Sequence, residues 1–93
     1  MEQKRTIEIL KALADETRLG IVRKLAAQEQ PVSGCDIVSS CASFLKLSQP
    51  AMSHHFNKLV DAGVLIEERE GTSKRYRLDR ELLAVCGVSA DKI

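Results

Sequence analysis

The sequence predicts a mainly α-helical domain that carries one β-hairpin, in the order α-α-α-α-β-β-α. Three features of the chain point there. Up to residue 62, four stretches repeat apolar residues at the three-and-four spacing of a helix. Beyond Gly63 the pattern changes to short β-type runs, Val64-Leu65-Ile66 and Lys74 to Leu78, on either side of a Gly71-Thr72-Ser73 turn. The 93 residues, 44% hydrophobic and 29% charged, have ordinary globular composition and suffice for one core. A core this small gains from being shared with a second copy.

Each element has a local reason. Residues 6–14 carry Ile7, Leu10, Leu13 and Ala14 at helical spacing. Asp15 is placed to cap a second helix over 16–28, with Leu19, Val22, Leu25 and Ala26 as its buried stripe. Pro31 stops that helix, because it has no N–H to donate and clashes with the preceding turn. Ser33-Gly34-Cys35-Asp36 fits a capping box, and Ile37, Val38, Cys41, Phe44 and Leu45 then form one apolar face. After Leu47, Ser48 caps a fourth helix with Pro50 in its first turn, where backbone N–H groups lack partners anyway. Gly63 ends it after Ala62 in the left-handed conformation. The hairpin follows, and Asp79 caps a short last helix through about Cys86. Two tightly connected helices just before a hairpin make a winged helix-turn-helix. The whole chain, 1–93, is read as one such domain, with 2–14 and 79–87 as dimerisation elements.

Composition removes several classes of function. No apolar run approaches the roughly 18 residues of a membrane span. Met1 to Thr6 lacks the charged-then-apolar layout of a signal peptide, and the three cysteines form neither an even set nor a CxxC pair. A reducing cytoplasm is the expected compartment. Aromatic residues are only Phe44, Phe56 and Tyr76, too few for stacking single-stranded bases. No phosphate-binding glycine loop, nucleophile elbow or paired carboxylates stand out, so the chain is not expected to be an enzyme. The net charge of +1 gives no hint of nucleic acid by itself, but it is unevenly spread. Residues 44–60 hold Lys46 and Lys58 with no acid, and from Arg69 to Arg77 four cations face one acid, a local +3.

The helix over 49–62 carries the functional reading. At about 100° per residue, Met52, Phe56, Leu59 and Val60 share the side that must be core. Pro50, Ser53, His54, Asn57, Lys58 and Asp61 share the other. Short hydrogen-bonding side chains can reach base edges in a major groove, while a lysine and the helix N-terminus take phosphates. In the hairpin, Tyr76 and Leu78 alternate with Arg75 and Arg77, so those two cations share the outward face. With Arg69 and Lys74 they form a tip suited to backbone and minor-groove contact. The competing reading is a winged-helix protein-interaction module without DNA binding.

Leu10 to Val22, Leu47 to Leu65 and Gly71 to Leu78 together resemble the signature of the ArsR/SmtB family of bacterial winged-helix repressors, across most of residues 7–80. The resemblance implies a homodimeric repressor that leaves a pseudo-palindromic double-stranded operator when an inducer binds. It implies that Ser48, Gln49, Ser53, His54 and His55 belong to the recognition helix and that Arg69 to Arg77 is the wing. Two departures bear on the inducer. The family's Cys-x-Cys reads Ser33-Gly34-Cys35 here, and no histidine follows His55 to build the family's C-terminal zinc or cobalt site. About four extra residues lie between Asp36 and Ser48 relative to the family pattern. Cys35, Cys41 and Cys86 are the candidate thiol or metal-sensing residues, for a thiophilic metal or metalloid or an oxidant, with no cofactor certain. Cys41 falls among apolar residues, whereas Cys35 sits at a helix start. His54 and His55 point about 100° apart on one helix and cannot readily share an ion. His55 flanks the apolar face and His54 points outward.

Overall fold

The computed structural model describes residues 2–29 and 31–93. The elements are α1 (Gln3–Leu13), α2 (Glu16–Ala26), β1 (Val32–Ser33), α3 (Gly34–Leu45), α4 (Gln49–Ala62), β2 (Leu65–Glu70), β3 (Ser73–Leu78) and α5 (Arg80–Val85). The expected helices and hairpin are all present. What the sequence reading lacks is β1, which pairs antiparallel with β3 and makes the sheet three-stranded in the order β1-β3-β2. Two residues have no periodicity to read, and this strand exists only through its partner.

Local capping explains most boundaries. The Asp15 carboxylate accepts from the Arg18 N–H at 2.9 Å, Ser48 Oγ from Ala51 at 3.2 Å and Asp79 from Leu82 at 3.1 Å. Each satisfies one N–H that the first helical turn would leave without a partner. Gly63 ends α4 at φ +88, and the Val64 N–H returns to the Leu59 carbonyl at 3.0 Å. The capping box at Ser33 is corrected: its side chain makes no cap hydrogen bond, because Ser33 belongs to β1 and pairs with Arg75.

The core gathers one face of α2, α3 and α4 on the sheet, with α1 packed on α2 and α4. Ile9, Ile21, Val22, Met52, Phe56, Leu59, Val64 and Leu83 are fully buried, and the Phe56 and Tyr76 rings lie 5.1 Å apart. Fully burying side chains of this size is worth roughly 1.5–3 kcal/mol each. Apolar assignments change in three of the helices. In α1 the buried residues are Ile9, Ala12 and Leu13, while Ile7 and Leu10 stay over 40% exposed and Ala14 is exposed. In α2, Ile21 replaces Leu19 as a buried residue, and Leu19 and Ala26 are only half-buried. Phe44 is 74% exposed while its neighbour Leu45 packs on the core, and its ring faces Lys24 Nζ of α2 at 5.2 Å.

Gly34 marks a close approach. A Cβ there would lie 2.9 Å from Lys74 Cγ and 3.1 Å from the Lys74 carbonyl oxygen, so α3 begins pressed against β3.

Candidate nucleic-acid interface

The fourth helix presents the two faces its sequence requires. Met52, Phe56 and Leu59 are buried, and Ser53, His54, Asn57, Lys58 and Asp61 are exposed. Ser48, Gln49 and Pro50 open the helix on the same exposed surface. Gln49 is already committed, since its Nε2 donates to Ser39 Oγ at 3.1 Å and ties α4 to α3. His55 departs further from the outward set. It is half-buried, with Nδ1 3.3 Å from Arg18 Nη1 and 4.0 Å from the Asp15 carboxylate. Burial holds its pKa below the ordinary imidazole value, the Arg18 charge adding to this and Asp15 opposing it.

The wing differs from its sequence reading in charge. The hairpin runs from Leu65 to Leu78, so Glu67 and Glu68 belong to it as well as Glu70. Four cations now face three acids, and the local charge is +1 rather than +3. Register explains the pairing, because directly opposed residues share a face. Glu68 stands opposite Arg75, with Arg77 diagonal to it, and the Arg77 guanidinium donates to Glu68 at 2.6 Å. Arg69 and Lys74 oppose each other on the other face and both reach Glu67, at 3.4 and 3.5 Å. Arg75 is exposed and in no ion pair among the described residues.

A polar cleft of about 350 Å³ joins the wing tip to the helices. Gln49 and Ser53 line it from α4, Thr72, Ser73 and Lys74 from the wing, and Cys35 from the start of α3. By sequence Thr72 and Ser73 are turn residues only. Their hydroxyls join the surface because the hairpin folds back over α3.

A helix exposing Ser53, His54, Asn57 and Lys58 beside a hairpin wing is the arrangement of a winged helix-turn-helix. The family model for bacterial regulatory proteins of the arsR family matches residues 15–67, from the α2 cap into β2. The chain belongs to the arsR family.

It resembles the arsenical resistance operon repressor of Staphylococcus xylosus, with 32% identity over 93 residues, covering 100% of this chain and 84% of that one. Among solved structures it resembles HlyU from Vibrio cholerae N16961, at 31% identity and TM-score 0.68, over 94% of this chain and 91% of that chain. It also resembles the homodimeric winged helix-turn-helix DNA-binding domain of Mb0332 from Mycobacterium bovis, at 27% identity and TM-score 0.67, over 88% and 70% of the two chains. This arsR-family chain is a DNA-binding transcriptional regulator. No helix in the described residues is long and apolar enough to cross a membrane.

The cysteines of this arsR-family chain occupy three settings. Cys35 is exposed in the cleft, Cys41 is 1% exposed in the core and Cys86 is half-buried after α5. Burial pushes the Cys41 thiol up, which keeps it protonated and inert. Among the described residues no three His, Cys, Asp or Glu side chains are grouped to hold a metal.

Proposed function

We propose that the chain is a homodimeric repressor of a pseudo-palindromic operator, working in the cytoplasm and released when an inducer acts at Cys35. The observation that carries this reading is the exposed row Ser53, His54, Asn57 and Lys58 on a helix that buries Met52, Phe56 and Leu59 on its opposite face. In this reading Ser53, His54 and Asn57 meet base edges, and Ser48, Pro50, Lys58 and Arg75 meet the phosphate backbone. Arg69, Lys74 and Arg77 join them once they exchange carboxylates for phosphates.

The exposed Ile7, Leu10 and Val85 of the first and last helices support a dimer formed through these elements. A two-fold axis there sets the recognition helices one turn of DNA apart, about 34–36 Å. Cys35 is favoured as the responsive thiol because it shares a cleft with Ser53 and Lys74, whereas Cys41 is buried.

Fluorescence anisotropy tests the reading, on the duplex this protein enriches from a random-sequence library, at several salt concentrations. The expected result is tight, sequence-selective and salt-dependent binding. Failure to enrich any duplex overturns it. The paired cations of the wing favour one alternative, an interaction module that keeps the fold without the DNA. A flat salt response of any residual binding would support that alternative. Titrating the complex with As(III), Cd(II) and peroxide, for wild type and Cys35→Ser, separates the inducer classes. Equal release of both proteins removes Cys35 from the mechanism.

A further inference from the structure

One guanidinium joins three helices. Arg18, in the first turn of α2, donates from Nε to the Ala12 carbonyl in α1 at 2.7 Å, and its Nη1 lies 3.3 Å from His55 Nδ1 in α4. Asp15 fixes the root of this side chain by accepting from the Arg18 backbone N–H at 2.9 Å, and its carboxylate lies 4.0 Å from Arg18 Nη1. The Arg18 side chain is only 14% exposed and that of His55 only 21%. Both are therefore held between helices and turned away from the exposed row of α4.

We infer that His55 is a positioning residue for the recognition helix. It is held by Arg18, reads no base itself, and couples the setting of α4 to α1. This inference rests on the DNA-binding reading and deepens it. The chemistry follows from the donor inventory. An arginine has only N–H donors, so His55 Nδ1 must be the acceptor, which requires a neutral ring with its proton on Nε2. Protonation places a hydrogen on Nδ1 facing the guanidinium, removes the bond and sets two cations together.

The charged groups facing the imidazole are Asp15 and Arg18 from α2, and His54 and Lys58 from its own helix. From α1, Glu8 and Lys11 line the neighbouring cleft beside Arg18 and Lys58. Burial, with the Arg18 and Lys58 charges, favours the neutral form, and Asp15 is the near group that favours the cation. A folded-state pKa held below 6.5 means that the neutral arrangement is complete above about pH 6.5 and is lost as the pH falls through the lowered value. Because α1 is a proposed dimer element, the same guanidinium that seats the recognition helix also senses where α1 sits.

The test is a double-mutant cycle of Arg18→Ala and His55→Ala, read both as thermal midpoint and as affinity for the library-selected duplex. Each single variant is expected to weaken DNA binding about tenfold, and the double variant no more than the worse single one. A side chain that read bases would instead lose its contribution in full in the Arg18→Ala background. His55→Asn, whose Oδ1 takes the place of Nδ1, is expected to restore most of the affinity and to bind with no loss below pH 6.5. Wild type is expected to weaken there. This pH comparison is made in a His54→Gln background so that the outward ring does not contribute. Additive thermal midpoints overturn the tie itself. Additive binding losses, or an Asn variant no better than Ala, overturn the positioning role. A wild-type chain that folds and enriches no duplex overturns the regulator reading instead, so the failures are distinct.

Discussion

Removing an acid from the wing should improve DNA binding. The perturbation is Glu68→Gln. Glu68 holds Arg77 at 2.6 Å and stands opposite Arg75 in the ladder, with the Glu68 and Arg77 side chains each about half exposed. A carboxylate in that position competes with phosphate for both arginines. The pair contributes little to the fold, since an exposed ion pair is worth roughly 0.2–1 kcal/mol, and the glutamine stays in register. Releasing the competition is worth roughly 0.5 kcal/mol per wing, so two wings of a dimer give about a fivefold gain in affinity. Each additional phosphate contact steepens the dependence of log affinity on log salt by about 0.9, so a dimer should change by about two units. Anisotropy titrations of wild type and Glu68→Gln across a salt series measure both quantities, with circular dichroism to confirm the fold. An unchanged slope and affinity, or weaker binding by the variant, would refute the placement of the outer wing face on DNA.

Other substitutions separate the parts of the molecule. Phe56→Ala empties a fully buried site beside Tyr76 and should cost about 3–5 kcal/mol in chemical denaturation, whereas Phe44→Ala should cost no more than about 1 kcal/mol. Equal costs would mean that Phe44 is covered in solution. Ser48→Ala removes the hydroxyl that accepts from Ala51 and should lower stability by about 1 kcal/mol, with Ser48→Gly losing less. In the native protein a thiol-alkylating reagent should label Cys35 within the time needed to label a small-molecule thiol, and Cys41 only after unfolding, as read by mass spectrometry. Labelling of Cys41 at the rate of Cys35 would contradict the buried core.

What could be read from the chain was what is decided locally. Asp15, Ser48 and Asp79 cap helices because their side chains reach N–H groups three residues ahead, and that distance is written in the sequence. The two faces of α4 follow from its period alone, and so does its exposed polar row. The rest depended on partners distant along the chain. Strand β1 is drawn out of the segment after Pro31 only by its pairing with β3. The wing's charge was misjudged because the pairing of Glu67 and Glu68 with Lys74 and Arg77 depends on where the ladder starts. Periodicity puts Phe44 on the apolar face of α3 but does not show that α2 meets its ring with the Lys24 ammonium rather than with apolar cover. His55 reads from the sequence as flanking the apolar face of α4, where it is half-buried, but its contact with Arg18, 37 residues earlier, has no local signal.

The missing side chain at Gly34 has a mechanical consequence. With the first turn of α3 seated directly on the Lys74 backbone and β1 laced to β3, no slack loop separates the thiol-bearing helix from the wing. The two form a single welded joint. A force that lifts the start of α3 must carry the Lys74 end of β3, beside the wing's turn, with it. One added methyl group at Gly34 would press on Lys74 and Tyr76 and so push the start of α3 away from β3.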